Sequence, residues 1–158
     1  VTIQIDMLLA ERFGMYYTDE NGEKKLPYII HRTSLGCYER TLAYLIETYA
    51  GALPTWMAPE QVRFLPVTDR AVDYCKEQAA KLTAQGYRVT VDTRSEKIGK
   101  KIRDAQMEKI PYMLVVGDRD IEAGTVSPRH RADGDLGAMT LEAFTAVLKD
   151  VVDNKLKK

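Results

Sequence analysis

The second half of the chain alternates apolar, strand-like runs with amphipathic helical segments, and this order constrains the fold more than any other feature. Strands are predicted at residues 62–67, 87–92 and 112–117, with a helix between each consecutive pair. The run at 112–117 is apolar up to its terminal glycine, which is typical of a central strand covered on both faces. The βαβαβ order predicts right-handed crossovers and an α/β fold with an open, largely parallel sheet flanked by helices.

Residues that begin and end helices set the boundaries of these segments. Asp69 opens the first helix and Gly86 ends it, Ser95 is predicted to cap the amino end of the second helix, and Thr140 caps a last helix. Polar residues at about 125–131 predict a hairpin. The first helix carries an apolar stripe that is expected to lie in the core: Ala71, Tyr74, Cys75, Ala79 and Leu82.

The first part of the chain has a different pattern, in which short strands dominate. Residues 1–8 alternate apolar and polar side chains with a period of two, which predicts a strand. Turn residues at 19–23 predict a hairpin, and residues 26–31 predict a further strand. Apolar residues at helical spacing predict a helix over 38–49, so this part of the chain combines short strands with one helix.

A proline-containing segment separates the two parts. Two prolines within residues 52–59 exclude a helix interior and a central strand alike, and we place a domain boundary near residue 59. The chain is thus predicted to comprise two domains, residues 1–59 and residues 60–158. It opens inside a predicted strand, with no initiator methionine and no targeting segment, so we expect it to be a piece of a longer protein.

Composition excludes several classes of protein. The 158 residues carry 23 Lys and Arg against 23 Asp and Glu, and no apolar run approaches the roughly 20 residues that a bilayer requires, so no membrane partner is expected. Two cysteines make no disulfide framework, and a cytoplasmic location is the expectation.

A net charge of zero predicts no general attraction to nucleic acid. Residues 88–103 nevertheless hold six basic side chains against two acidic ones, as either a solvated helix face or a phosphate-binding patch.

Several segments carry a resemblance to a known family. Residues 31–40 (HRTSLGCYER) resemble motif 3 of the class II aminoacyl-tRNA synthetases in its threonyl form, and residues 2–6 and 49–54 are also similar to that form. Residues 96–103 (EKIGKKIR) and 111–118 (PYMLVVGD) resemble its anticodon-binding domain. The resemblance implies a remnant of the antiparallel catalytic sheet with the motif 3 helix in the first domain. It implies an anticodon-binding domain, with an open mixed sheet, in the second.

The same resemblance implies roles for five residues of the first domain. Arg40 would be a catalytic residue that contacts ATP, because a guanidinium can stack on a base and reach phosphate oxygens. An ion pair on the helix surface is the structural alternative. Gln4, Gly36 and Cys37 would line the substrate and ATP pocket, with Cys37 where the family usually has serine. His31 would be one of three protein ligands of a zinc ion, and the other two would lie upstream of this chain.

In the second domain the resemblance implies contacts to an anticodon. Arg129 would meet the bases, Glu96 and Asp120 would accept hydrogen bonds from base amino groups, and Ser95 stands where the family often has asparagine. The structural alternatives are helix-terminal charge for Glu96 and an ordinary turn for Asp120. Four cations are candidates for contacts to the RNA: Lys97, Lys100, Lys101 and Arg103.

The resemblance implies that a parent protein activates threonine with ATP and Mg, attaches it to tRNA(Thr), holds zinc and forms a homodimer. This chain would supply motif 3 and anticodon recognition, and would not aminoacylate tRNA alone. The alternative is a stand-alone, non-catalytic anticodon-domain-like subunit that binds nucleic acid or acts as an accessory. A doubly wound nucleotide-binding domain is a third class, but no Gly-x-Gly-x-x-Gly follows a predicted strand.

Overall fold

A computed structural model describes residues 2–34 and 36–156 of the chain. Val1, where the first strand is predicted to begin, and Leu35, within the motif 3 segment, lie outside the described residues, as do the last two lysines. The structure divides into two compact units, residues 1–45 and 46–158. The domain boundary near residue 59 remains a prediction.

The first unit is built from short strands, as the sequence predicts. The elements that begin in this unit are β1 (Thr2–Asp6), α1 (Leu9–Arg12), β2 (Tyr17–Thr18), β3 (Lys24–Lys25), β4 (Ile29–Thr33) and α2 (Tyr38–Thr48). Strands β1 and β4 pair antiparallel, and β2 and β3 form the hairpin predicted around the turn at 19–23.

Apolar side chains of this unit are open to solvent. Ile3 and Ile5 of β1 are 64% and 60% exposed, and Ile30 of β4 is similarly exposed. Among the described residues up to Leu45, only Ala10 is buried. The open edges of this two-stranded sheet leave backbone groups unpaired within it, and such groups can pair with another strand.

The second unit is an α/β layer structure, which confirms the predicted fold class. Its elements are β5 (Val62–Pro66), α3 (Ala71–Ala84), β6 (Val89–Val91), α4 (Ile98–Met107), β7 (Tyr112–Val116), α5 (Asp118–Ala123), β8 (Thr125–His130), β9 (Gly134–Asp135), β10 (Met139–Thr140) and α6 (Leu141–Asp153). The sheet has the strand order β10-β8-β7-β5-β6, with β9 paired to β8. Strand β5 is parallel to β6 and β7, whereas β8 is antiparallel to β7.

Two apolar clusters cover the two faces of this sheet. On one face, Phe64 and Leu114 pack with α3 and α6, and the predicted stripe of α3 lies in this cluster. On the other face, Leu65 and Met113 pack with Ala105 of α4. Alternation along a strand sends successive side chains to opposite faces, so the apolar runs of β5 and β7 supply both clusters. No helix in the described part of the chain is long and apolar enough to cross a bilayer.

Local signals at the start of α6 and the end of α3 are confirmed. The Thr140 hydroxyl accepts a hydrogen bond from the Ala143 backbone N–H at 3.2 Å, as an N-cap does. Gly86 follows α3 with a φ of +90°, a conformation that favours glycine because it has no Cβ.

Two local predictions are wrong, and one structural alternative is not realised. Ser95 does not cap α4: the helix begins at Ile98, and its N-cap residue is Lys97, which makes no side-chain capping bond. The segment predicted as a hairpin is one strand, β8, which pairs with β7 over Ser127–His130 and with β10 at Thr125 and Val126, and its alternate residues are buried. Asp120, for which an ordinary turn was the structural alternative, lies in the short helix α5, which the sequence pattern did not indicate.

Candidate nucleic-acid interface

The segment between β6 and α4 is held by a network of charged side chains. The Asp92 carboxylate accepts three hydrogen bonds from Arg94: one from its backbone N–H at 3.1 Å, and two from its guanidinium at 2.9 and 2.7 Å. The remaining guanidinium nitrogen of Arg94 donates to Asp104 of α4 at 3.0 Å. Asp92 is only 8% exposed, and the hydrogen bonds from Arg94 lower the pKa of its carboxyl below the usual value.

Lys101 lies beneath this segment instead of facing solvent. Its side chain is only 5% exposed, and its ammonium donates to the backbone carbonyls of Pro66 at 3.1 Å and Asp92 at 3.2 Å. Lys101 is among the residues that line the cleft at this edge, but its ammonium is already bound to two carbonyls. The expectation of an exposed ammonium at Lys101, which a phosphate contact needs, is therefore wrong.

The next residues along the chain are exposed and line a cleft. Ser95, Glu96 and Lys97 face solvent, and the Glu96 carboxylate pairs with the Lys100 ammonium at 2.5 Å. The cleft has a volume of about 490 Å³ and lies beyond the carboxyl ends of β5 and β6. In open α/β sheets this edge is where ligands usually bind. Arg103 is exposed further along α4.

The Asp120 carboxylate is occupied by protein donors. One oxygen accepts from the Gly117 backbone N–H at 2.9 Å and so caps α5. The other accepts from the Ser127 hydroxyl at 3.0 Å and the Thr125 hydroxyl at 3.3 Å, both on β8. Asp120 therefore ties the start of α5 to the neighbouring strand.

Arg129 lies on β8, opposite Met113 of β7, and so shares the sheet face that α4 covers. Its side chain is 31% exposed, and one guanidinium nitrogen is 3.3 Å from the Asp135 carboxylate. Asp135 also accepts a hydrogen bond from the Gly137 backbone N–H at 2.9 Å, which fixes the carboxylate. The register places Arg129 toward the amino end of β7, whereas Ser95 and Glu96 lie beyond the carboxyl end of β6. Arg129 and the pair Ser95–Glu96 thus lie toward opposite ends of the parallel strands.

In the first unit, three polar side chains come together on β1 and β4. Gln4 pairs in register with His31, and His31 Nε2 is 3.5 Å from a carboxylate oxygen of Asp6. Hydrogen bonds from the backbone N–H groups of Leu9 and Leu8 lower the pKa of the Asp6 carboxyl. These side chains line an open cavity of about 620 Å³.

The donor set at His31 does not fit the zinc site that the resemblance implies. A three-ligand zinc site requires three His, Cys, Asp or Glu side chains that converge on one point. Within residues 2–34 and 36–156, no group of three such side chains could hold a metal ion. Asp6 is the acidic side chain that lies beside His31, and these two groups alone would leave a zinc ion one ligand short.

The motif 3 residues surround the start of α2. Gly36 has a φ of +73°, and a Cβ built there would meet nothing within 4 Å, so backbone conformation explains this glycine. The carbonyl of the exposed Cys37 accepts hydrogen bonds from Thr41. Arg40 is exposed in the first helical turn and makes no ion pair with another described residue. The structural alternative for Arg40 is therefore not realised among those residues.

The mixed sheet, its helices and the exposed segment at the strand ends agree with one family. A family model described as "Anticodon binding domain" matches residues 61–151, more than half of the chain, and the chain belongs to this family.

Relatives make the assignment more specific. The chain is 60% identical over 144 residues to a threonine–tRNA ligase of Clostridium perfringens, a match that covers 91% of this chain and 22% of the relative. It is 54% identical over 154 residues to a threonine–tRNA ligase of Clostridium botulinum, covering 98% of this chain and 24% of the relative. The chain thus spans less than a quarter of these relatives. The sequence resemblance to the threonyl-tRNA synthetases is confirmed.

A solved structure agrees with these relatives. The crystal structure of the RNA binding domain of threonyl-tRNA synthetase from Cryptosporidium parvum Iowa II superimposes with a TM-score of 0.71 at 33% identity. The match covers 94% of this chain and 38% of that one.

Proposed function

We propose that this chain recognises the anticodon of tRNA(Thr) as part of a threonyl-tRNA synthetase. The observation that carries the proposal is the family match over residues 61–151, together with the high identity to threonine–tRNA ligases. The exposed segment beyond β6 supports it. Side chains held in one geometry on a rigid segment can present hydrogen-bonding groups to unstacked bases.

Within that proposal, Arg129 and Glu96 read base edges, Ser95 adds a contact beside Glu96, and Arg103 contacts the RNA from α4. An arginine can both hydrogen-bond a base edge and stack on its face, and a carboxylate accepts from base amino groups.

Asp120 supports the structure around the site and does not itself contact the bases, because its carboxylate already binds protein donors. Lys97 and Lys100 are the remaining candidates for phosphate contacts, because Lys101 is buried.

The remaining roles belong to the whole synthetase. There we propose that Arg40 acts as a catalytic residue on ATP, with Mg, and that Gln4, Gly36 and Cys37 line the threonine and ATP pocket. His31 would hold zinc only with ligands from elsewhere in the protein. The assembled enzyme would be a homodimer in the cytoplasm. The chain alone, which spans under a quarter of its relatives, is expected to show no threonine-dependent ATP–pyrophosphate exchange.

Substitution of Arg129 tests the proposed anticodon contact. Binding of the 158-residue chain to a tRNA(Thr) anticodon stem-loop is compared with binding to a loop whose second and third anticodon bases are changed. Arg129→Ala is expected to remove about 1–3 kcal/mol of the preference between the two loops. Arg119→Ala is the matched control, because Arg119 is an arginine on α5 that we assign no role.

An undiminished preference in Arg129→Ala would overturn the contact. If the wild-type chain binds both loops with equal affinity, and both affinities fall together as the salt concentration rises, the chain is instead a stand-alone module that binds RNA without base selectivity.

A further inference from the structure

Lys101 is a buried cation to which the proposed function assigns no role. It lies on α4, and no carboxylate forms an ion pair with it among the described residues. Its ammonium donates to backbone carbonyls on two different chain segments, Pro66 at the end of β5 and Asp92 just after β6. An ammonium costs free energy to bury, even when carbonyls satisfy it, and an unbranched apolar side chain would fill the same space.

The position of these acceptors links Lys101 to the exposed segment. Asp92 immediately precedes residues 93–97, which line the cleft. The hydrogen bond that Lys101 donates to the Asp92 carbonyl therefore fixes where that segment starts. The Asp92 carboxylate and Asp104 together hold Arg94, within the same segment. The chain that leads into residues 93–97 is therefore tied to α4 twice, at Asp92 by Lys101 and at Arg94 by Asp104.

We infer that Lys101 is a positioning residue for anticodon reading, which holds the segment 93–97 so that Ser95 and Glu96 face RNA in one geometry. The inference rests on the proposed function and deepens it. Lys101 acts through the backbone of Asp92 and does not contact the RNA. Its charge therefore displaces no counterions from RNA, and its loss changes selectivity without changing the salt dependence of binding.

The test compares Lys101→Met with Lys97→Met in the full chain. Methionine keeps the length and removes the donor, and Lys97 is the exposed lysine four residues earlier. We expect Lys101→Met to lose the preference for the cognate loop by about tenfold, while the slope of log affinity against log salt stays at the wild-type value. Lys97→Met is expected to weaken both loops equally and to reduce that slope by about one.

A second readout separates positioning from general stability. Amide hydrogen exchange in residues 93–97 is expected to accelerate in Lys101→Met, while exchange in β7 stays at the wild-type rate. Unchanged selectivity, a reduced salt slope, or a variant that no longer unfolds cooperatively would each overturn the positioning role. If the wild-type chain shows no preference between the two loops, the proposed function itself is overturned. This result requires no variant.

Discussion

Arg129 and Asp135 form an ion pair across β8 and β9, with 3.3 Å between a guanidinium nitrogen and a carboxylate oxygen. The Asp135 side chain is exposed to solvent, and the Gly137 backbone N–H donates a hydrogen bond to its other carboxylate oxygen. Asp135 thus orients a side chain that we propose to read bases, and it also places a negative charge beside that side chain.

Replacement of Asp135 by alanine therefore has two opposite effects. Overall affinity for any RNA loop rises, because a negative charge near the RNA is removed. The preference for the cognate loop falls by up to about fivefold, because an exposed ion pair contributes about 0–1 kcal/mol to holding Arg129. Fluorescence titration of both loops measures the two effects. Glu122→Ala, which removes a charge on α5, is the control, and a preference in Asp135→Ala that equals the wild-type preference contradicts the role.

The Asp92–Arg94 pair predicts a dependence of stability on pH. The pKa of the Asp92 carboxyl is lowered in the folded state, so its ionised form stabilises the fold at neutral pH. That contribution is fully present above the ordinary carboxyl pKa of about 4 and is lost as the pH falls through the lower folded-state value. Asp92→Asn is expected to reduce the free energy of unfolding by about 1–3 kcal/mol at pH 7.

Urea unfolding of wild type and Asp92→Asn between about pH 7 and about pH 2.5 checks this prediction. The difference between the two proteins should shrink steadily below about pH 4. A difference that is constant over the whole range would mean that the charge of Asp92 does not stabilise the fold.

The two cysteines are predicted to differ in reactivity. Burial raises the pKa of the Cys75 thiol to about 12, whereas Cys37 is exposed. Thiolate is the reactive form, so Cys75 is protected both by its pKa and by its position in the core. A disulfide reagent at about pH 8 should titrate one thiol in the folded chain and both in denaturant. Cys37→Ser should leave none that reacts in the folded chain; a fast-reacting thiol in that variant would place Cys75 outside the core.

Asp120 is predicted to matter more for stability than for RNA. Asp120→Ala removes the cap of α5 and leaves the hydroxyls of Thr125 and Ser127 without this acceptor, which should cost about 1–3 kcal/mol of unfolding free energy. Glu122→Ala, on the same helix, should change it by less than about 0.5 kcal/mol. Unaltered stability in Asp120→Ala, with lost preference for the cognate loop, would show that Asp120 contacts the RNA instead.

Elements with strong local patterns were predictable from the sequence. The apolar run of β7 and the Thr140 cap of α6 need only nearby residues to specify them, and both are confirmed. β8 was missed because its Ser127-Pro128 pair is typical of turns. Its burial depends on pairing with β7, and a local pattern does not report such a long-range contact.

The site was predictable only in part for the same reason. Ser95 followed by Glu96 is typical of a helix start. The helix nevertheless begins only at Ile98, because the hydrogen bonds between Asp92 and Arg94 hold the segment before it. Lys101 was assigned to the surface by its charge, although its helical spacing from Ile98 and Ala105 places it on the buried side of α4. That spacing was the available signal for a buried lysine.

Titration of the wild-type chain with the cognate tRNA(Thr) anticodon stem-loop, and with a loop changed at the second and third anticodon bases, tests the central claim most directly. The measurement is made at two salt concentrations, because phosphate contacts alone weaken steeply with salt. We predict tighter binding of the cognate loop by about tenfold or more, with a ratio that persists at the higher salt. Equal affinities that fall together with salt would contradict anticodon reading by this chain.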